Sequence, residues 1–530
     1  MARQTYADNV DANGKVFKTI GENIRKGARA GELLNYDEII EKIEAIEPEI
    51  SALQADVMTN KDNLNELEGV LNTKVSMQLS HEDVANLVAK KNIIYYVGTA
   101  KCKFYETLPS FAIAYYTCKN GYLVAGSKGV ISLTDFDVQN GDDVTVFLEK
   151  IAKQVNYANI SVQIPPGRYI VKRPIVFQRP IILTGNGVSL FAQNEYDTFS
   201  STLVYDCAEE GYMFTLKQRS VVKGVCFETN KYSVRTNRTK YTGTISDVYT
   251  EHISVDNISC LACSSQLSLN NVSFVGFSGY AVYSSYCVLN NIGIWNCKKG
   301  AYVGTDSIVS NAIIRCSNVG IECRDGLLNC YAIRFEDIIN NCVEGSSNSA
   351  NIHGICDWCG GSILKGSFDN SNVSVIGRAA CCIGEPNNAL FYFTTQNFGI
   401  FTFVNIFNAL DGDNNSKVTI PIVYCDKSLT NAKFVNTVQY NITDLADVIK
   451  TSDSGWVNGI KIIDTVNTYD GRGSFNSRTN SNWKSFYLNN CLNTEAGANG
   501  ELLSKHGQYG KAGNKMMFKV NDAIITLQGS

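Results

Sequence analysis

The chain has 530 residues, a formal net charge of -4, 18% charged residues, 42 glycines, 8 prolines and 18 cysteines. This near-neutral balance excludes a general nucleic-acid binder, which would carry a basic surface, and no run approaches the roughly 20 apolar residues of a membrane helix. The length allows a large core and several domains, while abundant Gly and scarce Pro fit a turn-rich β body.

The stretch Met1 to Asp8 has no apolar signal core. Synthesis in a reducing cytoplasm is therefore expected, with cysteines kept as thiols. Residues 1–36 are polar, with a basic patch at Arg25, Lys26 and Arg29. They read equally as an unstructured leader or a docking peptide. Residues 37–92 turn helical. Apolar residues fall at Ile39, Ile43, Ile46, Ile50, Leu53 and Val57, then at Leu64, Leu67 and Leu71. Steps of four and three make the seam of a coiled coil. Ile at both seam positions favours three strands over two, and Asn60 on the seam would fix register. Pro48 is tolerated only in a first turn, so a second helix is expected to restart there. The expectation is a parallel oligomeric neck; an antiparallel hairpin is the alternative.

Residues 93–136 read as short strands of a linking subdomain. A short helix over Val144 to Val155 follows, with Asp142 or Asp143 as cap. Its apolar stripe is Val144, Phe147, Leu148 and Ile151. Such a helix can cover the open first coil of a solenoid.

The solenoid shows itself between Leu269 and Gly360. Leu269-Asn270-Asn271-Val272, Leu289-Asn290-Asn291-Ile292 and Val309-Ser310-Asn311-Ala312 start 20 positions apart, and Leu328-Asn329-Cys330 follows with a slip of one. Each is followed by a second apolar patch, such as Gly279-Tyr280-Ala281-Val282 or Gly300-Ala301-Tyr302-Val303. Short period-two runs separated by Gly, Asn and Ser are strands and turns. A fixed period near 20 residues with two strands per repeat predicts a parallel β-helix. Cys263, Cys287, Cys297, Cys316, Cys323, Cys330 and Cys342 fall in these runs and suit its interior. Two Cys-x-x-Cys pairs, Cys260/Cys263 and Cys356/Cys359, could supply four zinc thiolates. They lie four or five coils apart, so they are not expected to converge. After Gly360 the repeat fades, and from about Asn370 either distorted coils or a sandwich-like domain would fit.

One passage carries a resemblance. Val162-Gln163-Ile164-Pro165-Pro166-Gly167-Arg168-Tyr169 after a capping helix, then Ile181-Ile182-Leu183-Thr184-Gly185-Asn186-Gly187, resembles the opening of the pectate-lyase-like right-handed β-helix. The layout resembles bacteriophage tailspikes and capsular polysaccharide depolymerases. Family members often carry Gly-Asp-Gly-x-x-Asp-Asp-Thr before the cap, where this chain has Gln139-Asn140-Gly141-Asp142-Asp143. The resemblance implies a mainly β homotrimer: a virion-docking leader (1–36), a coiled-coil neck (37–92), a linking subdomain (93–136), a capped β-helix (137–370) and a C-terminal β region (371–530). That last region would serve in trimer closure or glycan binding. It implies a bacterial capsular polysaccharide as partner, a phage tail or adaptor bound through the N-terminus, and a place on the virion. No cofactor, metal, nucleic acid or membrane insertion is expected.

Alternation along each strand names the outward residues. With Ile292, Ile294, Ile314, Cys316, Ile333 and Phe335 inward, Trp295, Arg315, Arg334 and Glu336 face out. Glu322, Arg324 and Asp325 do so on the next strand, and His353, Asp357 and Trp358 on the next coil. Aromatic faces, guanidinium groups and carboxylates suit an acidic sugar chain. A cationic segment, Lys231-Tyr232-Ser233-Val234-Arg235-Thr236-Asn237-Arg238-Thr239-Lys240-Tyr241, would form a lip. Hydrolysis would use Glu322 with Asp325, Glu336 with Asp337, or Asp357. β-Elimination, slightly favoured, would draw on Arg315, Arg334, Tyr232 and the lip residues Lys231, Arg235, Arg238 and Tyr241. A solvated face with chance charges is the plain alternative. A non-catalytic receptor-binding fibre and a secreted polysaccharide lyase are the alternative functions. P-loop, Rossmann and Ser/His/Asp signatures are missing from the sequence.

Overall fold

The computed structural model describes residues 36–74, 76–126, 129–155, 160–187, 200–237, 245–315, 318–375, 378–380, 389–397 and 399–404, then a series of strands up to Gln528. The chain forms two compact units.

Among the described residues, the first unit contains one helix, Tyr36–Lys74, which runs on through Pro48. The expected restart at Pro48 does not occur. A proline in a helix removes one hydrogen bond and crowds one carbonyl, and the turns on either side carry the helix past it. Ile46, Ile50, Leu53, Val57 and Leu64 on its seam are all exposed in the single chain.

In the second unit, Ala100–Tyr105, Gly121–Ala125 and Ala114–Cys118 form an antiparallel sheet. The helix Thr145–Ala152 follows. The Asp143 carboxylate accepts the Thr145 amide at 3.0 Å, satisfying one of the amides left open at the helix start. Val144, Leu148 and Ile151 are fully buried beneath it.

The body is a parallel β-helix. Among the described residues one sheet runs through 17 strands and a second through 11, and each strand pairs with its counterpart one coil on. The ladder Leu269, Leu289, Val309, Cys330, Ile352, Val373, Phe403, Phe434 runs in register. All eight side chains are at most 1% exposed. The partner of Val309 is Cys330, so the slip at the fourth repeat runs opposite to the expectation that placed Leu328 there. A shift of two preserves the face in a period-two strand, and Leu328 is buried like Cys330. In the strands Ser268–Val275, Val288–Trp295 and Ser307–Arg315, Asn271, Asn291 and Asn311 take the left-handed conformation, at φ 56, 55 and 49. Asn accepts this conformation more readily than most residues. The Asn291 amide donates to Asn271 at 3.1 Å, extending the ladder to polar groups.

The coils continue beyond residue 370. Ser371–Val375, Phe401–Val404, Ala432–Val435, Ile460–Ile463 and Phe486–Asn489 pair in parallel succession. Lys515–Val520 and Ala523–Gln528 then pair antiparallel.

Candidate functional site

On the long sheet, the inward column Phe274, Ile294, Ile314, Phe335, Cys356 is flanked by two others. One runs Ser273, Gly293, Ile313, Arg334, Ile355. The other runs Val275, Trp295, Arg315, Glu336, Asp357. Register partners on neighbouring strands stand about 4.8 Å apart. Arg315, Glu336 and Asp357 therefore form an unbroken polar line over three coils.

Ion pairs hold this line. Arg315 Nε lies 2.9 Å from Asp337 Oδ2 and 3.9 Å from Glu336 Oε1. Arg334 Nη2 lies 3.2 Å from Glu336 Oε2. The Asp337 side chain is wholly buried, that of Glu336 is 13% exposed and that of Arg334 is 44% exposed. Asp337 is thus an internal anchor for Arg315, while Glu336 and Arg334 reach solvent. Farther along the same face, Arg168 holds Glu228 with two bonds, at 2.7 and 3.0 Å.

The lip is an antiparallel hairpin, Tyr232–Thr236 with Tyr249–Ile253. Tyr232, Val234, Val248 and Tyr249 pack with Ile339 and Trp358. Tyr249 donates its hydroxyl to the Trp358 carbonyl at 2.7 Å, and Tyr232 donates to Glu251 at 3.0 Å. The hairpin is therefore clamped to the turn that follows Asp357. Trp358 takes φ 55, a conformation rare for a bulky residue.

Three expected roles are corrected by burial. Trp295, Trp358 and Tyr232 are 3%, 4% and 2% exposed. The two indoles offer no stacking face to a sugar, and Tyr232 is a packed residue, not an accessible base. Period-two alternation placed Trp295 and Trp358 outward but gave no sign of a hairpin folding back. Trp295 Nε1 is buried without a hydrogen-bond partner among the described residues. Arg235 is exposed and Lys231 half-buried; Arg238 and Tyr241 lie outside the described residues. His353 stacks on Tyr331, ring centroids 5.7 Å apart, on the same sheet.

Glu322 lies on the second sheet, in register with Tyr302 and Glu344. It accepts the Tyr280 hydroxyl in a short hydrogen bond, and Lys299 Nζ stands 3.9 Å away. Lys299 also donates to the Tyr280 oxygen at 3.2 Å. Burial, and then Glu322, pushes the Tyr280 phenol far above its ordinary range, so it stays a donor. Tyr283 and Tyr302 stack at 4.2 Å. Glu210, Tyr212, Asn257, Tyr280, Lys298 and Lys299 line a cleft of about 390 Å³ nearby. The sequence reading found Glu322 but missed Tyr280 and Lys299; the equivalence of Tyr280 and Lys299 in successive repeats was the available signal. Arg324 and Asp325 are exposed beyond this strand.

Residues 130–327 match the family model described as rhamnogalacturonase A/epimerase, pectate lyase-like. This stretch is a pectate-lyase-like domain. It opens before the capping helix, at Val130, and includes Trp295, Arg315, Glu322 and the hairpin; Arg334, Glu336 and Asp357 lie in coils beyond it. No curated protein sequence matches the chain. Among solved structures, the chain is similar to the catalytic unit of a GH87 α-1,3-glucanase from Streptomyces thermodiastaticus, at 12% identity over 70% of this chain and 72% of that one, TM-score 0.41. It is similar to the tailspike protein of Acinetobacter phage vB_ApiP_P1, at 11% identity over 78% and 70%, TM-score 0.37. A third is tailspike gp49 of Acinetobacter baumannii bacteriophage Fri1, a capsular polysaccharide depolymerase, at 10% identity over 74% and 72%, TM-score 0.35.

Proposed function

We propose that this chain is a homotrimeric tailspike depolymerase that binds and cleaves an anionic bacterial surface polysaccharide. The observation that carries the reading is the line on the long sheet. Glu336 and Asp357 stand in register on adjacent coils, and Glu336 is gripped by Arg315 and Arg334. Two carboxylates on neighbouring coils fall near the separation that glycoside hydrolysis requires, about 5 to 9.5 Å. In this reading Asp357 protonates the leaving oxygen, and ion-paired Glu336 attacks the anomeric carbon or activates water. Arg334, the more exposed guanidinium, holds a substrate carboxylate. With Tyr232 buried at the base of the hairpin, hydrolysis gains over elimination.

β-Elimination is the second reading, favoured by two guanidinium groups on one face, where a uronate carboxylate would be neutralised. The exposed apolar seam of Tyr36–Lys74 supports the trimeric neck. The leader would dock to the phage tail. The test is a screen of uronate-containing capsules, followed for viscosity and for ultraviolet absorbance of a C4–C5 double bond. Falling viscosity without absorbance supports hydrolysis, and both together support elimination. Capsule binding without shortening would overturn the enzyme reading in favour of a receptor-binding fibre.

A further inference from the structure

Three thiols meet inside the coil below this line. Cys342 Sγ lies 3.1 Å from Cys356 Sγ and 2.9 Å from Cys359 Sγ, and the last two are 3.0 Å apart. All three residues are buried. The pair Cys356/Cys359 thus meets Cys342, and not the Cys260/Cys263 pair that sequence spacing brought to mind.

The register shows that this is a local change in the repeat. Cys356 occupies the inward column filled by Phe274, Ile294, Ile314 and Phe335 in preceding coils. A cysteine there removes most of the volume of a large apolar residue. Cys342 follows Gly300 and Gly320 in the equivalent place of the second sheet, as the flanking pairs show. A small thiol thus replaces a large residue on one sheet, and a thiol appears where its counterparts are glycine on the other. Together with Cys359 in the turn, these changes point three sulfurs at one spot.

We propose that Cys342, Cys356 and Cys359 bind one thiophilic d10 cation, zinc or cuprous ion. Soft thiolates select these ions. An ion about 2.3 Å from each sulfur sits above their plane at this spacing, and a spread of under about 1 Å brings the sulfurs to the wider triangle of a planar centre. On loading, each S–H bond is replaced by a metal–sulfur bond and its proton passes to solvent. The bound ion would brace the segment that carries Asp357 and Trp358, joining the polar line to the hairpin clamp.

The test is the metal content of the full chain, purified under reductant without chelator, then exposed separately to zinc and to cuprous ion. The expected result is about one equivalent of one ion per chain, falling at least tenfold in Cys342→Ser and Cys356→Ser but not in Cys297→Ser. Which ion is retained identifies the occupant. Should the two variants fail to fold, alkylation of the unmodified chain decides: chelator must expose these three thiols to reagent. Neither ion retained, or a Cys356–Cys359 disulfide seen by mass, overturns the proposal.

Discussion

Tyr249 and Trp358 are 109 positions apart, yet the hydroxyl of one donates to the carbonyl of the other at 2.7 Å. Both residues are buried. This contact fixes an inserted hairpin onto a coil formed far later in the chain. Tyr249→Phe leaves that carbonyl buried without this donor, at a cost of about 1–3 kcal/mol. The hairpin should then open more often, and trypsin should cut at exposed Arg235 faster. An unchanged cleavage rate would refute the clamp.

Arg315 and Asp337 form a charge pair in which the carboxylate is buried and the guanidinium half-buried. Arg315→Ala removes a charged partner from the buried Asp337 carboxylate and should lower stability by about 1–3 kcal/mol. Adding Asp337→Asn to that variant should recover much of the loss, read as denaturant midpoints. Costs that simply add would show that the two residues are not coupled.

Glu336→Gln and Asp357→Asn should each slow glycan cleavage by about 10²- to 10⁴-fold while the β-signal and melting remain near those of the parent. The assay is oligosaccharide release from a capsule that the protein cuts. Normal rates in both variants would move the reaction to the Tyr280–Lys299–Glu322 surface.

Tyr280 makes alkaline stability the informative direction. Its phenol is pushed up in the folded chain by burial, and further by Glu322, whereas the unfolded chain ionises near 10.0. Above that pH the folded state holds more protons, so this contribution is full below pH 10 and lost as pH rises beyond it. Tyr280→Phe should therefore lose less stability than the parent when taken above pH 10, in paired denaturant titrations. Parallel losses would remove Tyr280 from the account.

The helix Tyr36–Lys74 exposes Leu53 and Val57 at 64% each. Placing Asp at both should convert a trimer into a monomer by light scattering, because charge on the seam cannot be buried between helices. A monomeric parent protein would end the neck reading.

The repeat at Leu269, Leu289 and Val309 revealed the β-helix because its apolar positions recur at one phase and Asn271, Asn291 and Asn311 recur with them. Arg315, Arg334 and Glu336 were legible for the same reason, since alternation assigns a face. Trp358 and Tyr232 were misplaced because the hairpin that begins at Tyr232 packs onto Trp358, a contact between residues over 100 positions apart. The Cys342 thiol was read as core, and its company was hidden because Cys342 and Cys356 lie on different sheets.

The in-phase ladder also governs how such a body can change length. Leu289 pairs with Leu269 behind it and Val309 ahead, so excising one whole repeat leaves Leu269 facing Val309 with every inward side chain still inward. Within a strand, a gain or loss of an odd number of residues would turn the faces over, so smaller length changes fall in the turns, as the 21 positions from Val309 to Cys330 show. A lineage of such chains would therefore drift in reach by quantised steps of about 4.8 Å per coil, each step sparing the chemistry carried on the others.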